Sequence, residues 1–322
     1  MMAQQRITPL TESGMLVALS VVLALLGVYL PVLGILFILI WALPIIVLVV
    51  RHGLRWGVMA VASSGVLMAI LIEPMLALRM AISFGTVGLM LGMGFRKSWS
   101  GTRVLVLTLA VSILAKLAAL GLLFAVTGMN PLHLELDVLQ QSFETSFQMY
   151  EAMGIDAAAI DKSRAEMAAG LQFVALLLPL VVVMMGLMDT AIGYFLGGRV
   201  LHRLGHDTPA LPPFSEWRLP QAFLYVFGFA LVGLYWGTTR EIQPLYQAAL
   251  NLNMLALFAG IVEGLSLMSY VMGRYQLSVF VRAALYAFVL FNGVLVQILA
   301  FTGLFDMLFD YRRRFGGRWQ RK

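Results

Sequence analysis

Nine apolar runs, at 13–30, 32–50, 54–72, 75–95, 104–127, 171–196, 219–237, 245–272 and 277–305, constrain this chain more than any other feature. A helix needs about 20 such residues to cross the hydrocarbon core of a bilayer. In lipid the backbone must satisfy its own hydrogen bonds, which helices do within one segment. The expected fold is therefore all-α: a polytopic integral membrane helical bundle of about eight to ten transmembrane segments. Only 12% of the 322 residues are charged, against about 25% in soluble globular domains. The first run lacks a small-residue cleavage site and is followed at once by another, so it reads as a span and not as a removable signal peptide. Pro31 and its neighbours alone separate the first two runs, which predicts a tight hairpin.

One long stretch, 130–166, could not sit inside lipid. Leu132, Leu136, Leu139, Phe143, Phe147 and Tyr150 recur at spacings of three and four, the stripe of an amphipathic surface helix. Asn130-Pro131 suits a helix start. The opposite face carries Glu135, Asp137, Glu144 and Glu151, followed by Asp156, Asp161 and Glu166. This acidic plate reads either as a joining helix or as a lid over a pocket.

Positive charge alternates by loop, with Arg51 and Arg55 in the second, Arg96, Lys97 and Arg103 in the fourth, and Arg199, Arg203 and Arg218 in the sixth. That pattern places the N-terminus in the cytoplasm and the acidic plate outside. The formal charge of +6 therefore belongs to membrane orientation and not to nucleic-acid binding. Nine crossings would leave Arg312, Arg313, Arg314, Arg318, Arg321 and Lys322 outside. Either the last run turns at Asn292-Gly293, or one run does not cross. Both termini are expected in the cytoplasm, with the basic tail lying against anionic headgroups.

The organisation divides into a six-helix membrane region at 1–200, a proline-rich cytoplasmic strap at 201–220, and C-terminal helices with the basic tail at 221–322. The strap carries His202, His206 and Asp207, which read as solvated loop residues and not as a metal site. There is no cysteine, and no phosphate-cradling loop, zinc helix or nucleophile elbow. No cofactor is expected, and the chain is not expected to be an enzyme.

Ionisable residues at membrane depth are costly unless paired or solvated. Lys116, Asp189 and Glu263 are the three that matter, as a polar site, a relay or a packing ion pair. Counting rise per residue puts Asp189 and Glu263 at similar depth and Lys116 about 10 Å higher; Lys116 is expected to pair with a carboxylate, with Asp189 preferred. Asn251, Asn253, Asn292 and Gln297 read as interhelical hydrogen bonders. Small residues four apart, Gly14 with Ala18, Gly88 with Gly92, Gly193 with Gly197 and Gly260 with Gly264, let helices approach closely.

Several segments together resemble the YybS family of predicted bacterial membrane proteins. They are Tyr29-Leu-Pro-Val-Leu-Gly34, Arg51-His-Gly-Leu-Arg-Trp-Gly57, Asn130-Pro131, Pro212-Pro-Phe-Ser-Glu-Trp-Arg218, Glu263-Gly-Leu-Ser266 and Gly303-Leu-Phe-Asp-Met-Leu-Phe-Asp-Tyr-Arg312. The first six spans are also distantly similar to the substrate-binding subunits of energy-coupling-factor transporters. That resemblance implies capture of a small molecule from outside, with separate ATPases and a transmembrane coupling subunit as partners. Gly14 and Ala18 hold the place of the docking motif, with Gly in place of its first Ala.

The leading functional expectation is a transporter-like protein whose outer mouth is lined by Tyr29, Glu73, Arg79, Asn130 and Tyr150. The alternative is a scaffold whose strap and basic tail recruit a cytoplasmic partner. A membrane enzyme using Lys116, Asp189 and Glu263 is a third and weaker reading.

Overall fold

A computed structural model describes residues 9–30, 33–128 and 131–313. Every regular element among them is helical, and seven helices are long and apolar enough to cross a membrane by length and composition. These helices turn large apolar side chains such as Ile70, Leu114 and Phe229 outward, where lipid and not water is the compatible solvent. The chain divides into two compact units: residues 1–171 with 181–211, and residues 172–180 with 212–322.

In the first unit, α1 (Pro9–Tyr29) is followed by two short helices, α2 (Gly34–Ile40) and α3 (Leu43–His52). The second apolar run is thus broken at Trp41-Ala42, with Pro44 in the opening turn of α3. Trp41, Ile45, Ile46, Leu48 and Val49 are all buried, so this segment is the core against which others pack and not a lipid-facing span. The expected turn at Pro31 lies outside the described residues. A Cβ on Gly34 would stand 2.2 Å from the Gly27 carbonyl oxygen, so the backbones of α1 and α2 touch.

Gly53, at φ +102°, reverses the chain into α4 (Leu54–Leu71). Then come α5 (Pro74–Met80), a single π-helical turn at Ala81–Gly85 and α6 (Thr86–Arg96), which form one continuous rod. α7 (Gly101–Thr127) and α10 (Leu178–Arg203) complete the apolar helices of this unit. Gly88 and Gly92 rest on α3, while Gly193 and Gly197 rest on Leu91, Ile46 and Phe95, so both pairs do pack helices closely.

The acidic stretch forms two helices, α8 (Pro131–Ala152) and α9 (Ala157–Leu176), and not one. Gly154, at φ +78°, turns the chain between them. Within the stripe Phe147 is buried and Phe143 half-buried, whereas Leu139 and Tyr150 are exposed; the side chains of Leu132 and Glu135 lie outside the description. Arg164 from α9 reaches Glu144 at 2.8 Å and Glu151 at 3.1 Å on α8, and covers the Phe147 ring. The hairpin is thus fastened by the one arginine on its acidic face, and Glu144 holds that arginine's pKa above its ordinary value.

In the second unit, α11 (Ala222–Thr239), α12 (Gln243–Arg274), α13 (Val279–Leu290) and α14 (Gly293–Phe309) follow a three-residue turn at Phe214–Glu216. α13 and α14 meet at an angle of 101°. Asn292 makes that break by capping α14, accepting from the Val294 and Leu295 N–H groups. The expected turn at Asn292-Gly293 is therefore present. Gly260, Gly264 and Gly303 form the crossing of α12 with α14, where a Cβ on Gly303 would lie 2.0 Å from the Gly260 carbonyl oxygen. Asn251 holds the α9–α10 junction, donating to the Leu176 carbonyl and accepting from the Leu180 N–H.

Candidate functional site

In the interior of the first unit an ion pair joins two apolar helices, α7 and α10. α7 buries a face made of Val104, Thr108, Ser112, Ala115, Lys116 and Ala119, and α10 buries Gly186, Asp189, Thr190, Gly193 and Tyr194. Gly186 lies against Ser112 and Ile113, and Tyr194 lies against Gly101, so the two helices run antiparallel. Side chains tilt toward the start of their own helix. Lys116 therefore leans back toward Ser112 while Asp189 leans toward Gly186, and the two charges meet at the crossing. The Lys116 ammonium donates to an Asp189 carboxylate oxygen and, at 3.3 Å, to the Ser112 hydroxyl. It also lies 5.2 Å from the centre of the Phe84 ring, which the π-helical turn presents. Both residues are nearly excluded from solvent, at 7% and 6% exposure. Burial of each ion costs several kcal/mol, which only a close partner offsets.

Glu263 belongs to the second unit, where it accepts from Arg312 at 2.8 Å. Arg312 is itself a correction: it is not a solvated tail residue against headgroups but is 5% exposed. Its guanidinium donates to Glu263, to Asp306 at 3.3 Å, to the Ser266 hydroxyl at 3.1 Å and to the Ser215 carbonyl at 2.7 Å. Ser266 donates to the Phe214 carbonyl and lies 3.0 Å from that of Trp217, and Glu263 accepts from the Leu219 N–H. The proline-rich strap is thus fastened along its own backbone. Of the remaining tail residues, Arg314, Arg318, Arg321 and Lys322 lie outside the described residues.

At the edge of this cluster Arg218 pairs with Asp310 at 2.9 Å. The guanidinium holds the Asp310 carboxyl below the usual aspartate range, and the carboxylate raises Arg218 in turn. The other end of the strap is held in the first unit, where the Tyr194 hydroxyl donates to the Pro209 carbonyl.

Four of the five residues expected at an outer mouth lie among the described residues. Glu73 caps α5, both carboxylate oxygens accepting from the Met75 and Leu76 N–H groups. Arg79 is half-buried on the same helix, and Tyr29 and Tyr150 are exposed. Asn130 lies outside the described residues. Gly14 and Ala18 share the exposed face of α1, and nothing stands within 4 Å of a Cβ placed on Gly14.

Sequence reasoning missed a third ionic site. Glu12, buried in the first turn of α1, accepts from Arg51 and lies 2.6 Å from His52, while Arg96 donates to the Val49 and Val50 carbonyls that end α3. It also missed Asp306, an acid inside an apolar run, which should have signalled a buried cation nearby.

Three of the segments that carry the resemblance, around Pro212, Glu263 and Gly303, meet at Arg312, and a fourth supplies Arg51 and His52. A family model described as a predicted membrane protein (DUF2232) matches residues 18–307. The chain belongs to this family. The Bacillus subtilis (strain 168) protein named uncharacterized protein YybS is 25% identical over 313 residues, covering 95% of this chain and 97% of that protein. The YybS-like resemblance thus holds over nearly the whole DUF2232 chain. No solved structure matches it.

Proposed function

We propose that this DUF2232 protein is a bacterial inner-membrane transporter-like protein that captures a small molecule from the outer side, with both termini in the cytoplasm. The observation that carries the reading is the Lys116–Asp189 pair buried between apolar helices. An ion pair at such a place is expensive to keep, and in membrane proteins such groups mark substrate or ion pathways. The π-helical turn beside it supports the same reading, since π turns are frequent at functional sites. The captured molecule enters under the α8–α9 hairpin, past Tyr29, Glu73, Arg79, Asn130 and Tyr150. Energy comes from a separate subunit and its ATPases, docked on the exposed Gly14 and Ala18 face of α1.

A scaffold reading draws on the outward side chains of Phe214, Glu216 and Arg218. It is weakened by the inward use of the strap carbonyls at Phe214, Ser215 and Trp217.

The test is mass spectrometry of small molecules and proteins that co-purify in mild detergent. The transport reading expects a small molecule enriched on the natural protein and lost from the Lys116→Met, Asp189→Asn double variant. Equal small-molecule content in both would overturn it. A soluble protein lost on Glu216→Ala, with no small molecule, would favour the scaffold.

A further inference from the structure

The Lys116–Asp189 pair continues into a row of hydroxyl groups whose use the pair alone does not explain. Ser112 already accepts from Lys116. Thr108 lies one turn further along the same buried face of α7, and Thr190 follows Asp189 on α10. Both threonines are fully buried, and neither hydroxyl has a hydrogen-bond partner among the described residues. Other helical threonines do not behave this way: Thr86, Thr238 and Thr302 each donate to the carbonyl one turn back. A buried hydroxyl without a partner is costly, so two on the helices that hold one ion pair point to a ligand with hydrogen-bonding capacity, such as water.

We propose that Lys116, Asp189, Ser112, Thr108 and Thr190 form a proton-exchange site between α7 and α10. At rest the pair is an ammonium and a carboxylate, neutral in sum. An arriving proton converts the Asp189 carboxylate to a carboxyl and removes the partner charge of Lys116. The ammonium then gives one proton to a water held by the Ser112, Thr108 and Thr190 hydroxyls, which carries it away, and becomes an amine. Transfer of the carboxyl proton to that amine restores the resting pair, so one proton enters and one leaves. Lys116 is the one charged group acting on Asp189 among the described residues, and the π-helical turn presents the Phe84 ring to it.

The inference rests on the transport reading only for its purpose. That reading leaves energy to a separate subunit, whereas here the chain itself has a group that answers to the proton gradient.

The experiment is infrared spectroscopy of the full chain in lipid nanodiscs, following carboxyl C=O absorption as the buffer is acidified through the physiological range. The natural protein is expected to gain a carboxyl band that is lost in Asp189→Asn. Lys116→Met, which strands the acid, should show that band already at neutral pH. Thr190→Val should shift the midpoint of its appearance. The Lys116→Met, Asp189→Asn double variant, which removes both charges, serves as the blank should the single Asp variant fold poorly. A spectrum of the natural protein indistinguishable from the blank throughout the titration would overturn the proposal. That result would leave ligand capture untouched, and loss of the captured molecule would leave proton exchange untouched.

Discussion

Arg312 stands between two carboxylates, Glu263 and Asp306, with all three nearly inaccessible to solvent. Removing the cation strands two like charges in a medium that solvates neither. Arg312→Met should therefore lower unfolding stability by about 3–5 kcal/mol, measured by thermal or denaturant melts in detergent. A loss no larger than that of a surface arginine would mean the cluster is not load-sharing. Arg218 and Asp310 make the contrasting case, since both are more than a third exposed and water screens them. Their pair should contribute at most about 1 kcal/mol. The Asp310 carboxyl titrates below its unfolded value of about 3.9. Its stabilisation is accordingly present above that value and is lost as pH falls through the folded one. Asp310→Asn should lower the melting temperature slightly at neutral pH and make no difference in strong acid; an equal effect at both would contradict the pairing.

Among the elements, the crossing of α12 and α14 is the least forgiving, because Gly260, Gly264 and Gly303 bring backbone against backbone. A methyl at Gly303 meets a carbonyl oxygen and not a flexible side-chain tip, so the helices themselves must separate. Gly303→Ala should cost at least the upper part of the usual overpacking range, about 3 kcal/mol. Gly14→Ala, on an open face, should cost nothing measurable in the isolated chain, and comparable losses at both positions would refute the crossing. The small-residue spacing alone showed both pairs but not which faced a neighbour. The same limit explains the hairpin. Periodicity marked an amphipathic stretch from 130 to 166, yet the break at Gly154 depends on a positive φ that spacing does not reveal. The second apolar run was likewise legible as apolar, but its burial at Trp41 and Ile46 is a matter of tertiary placement.

At the scale of the molecule, the membrane helical class was legible because apolar run length is a direct consequence of bilayer thickness. Lys116 and Asp189 were legible for the same reason, as rare charges inside such runs. Glu263 was legible in the same way, but its partner Arg312 was not, because positive charge near a terminus reads as loop charge until its partner is seen. Glu12 was hidden too, lying before the run that hides it. The Lys116–Asp189 pair is the polar centre of the α7–α10 contact, and a double-mutant cycle measures it most directly. Lys116→Met and Asp189→Asn would be made singly and together, with folded yield and thermal stability recorded in mild detergent. Each single change leaves the other group among apolar helices without its partner, either charged or neutralised at a cost, so the double variant should be more stable than the additive sum of the two losses, with a coupling of about 1–3 kcal/mol. Strict additivity would show that the two residues do not interact, and the polar centre of the first unit would have to be sought elsewhere.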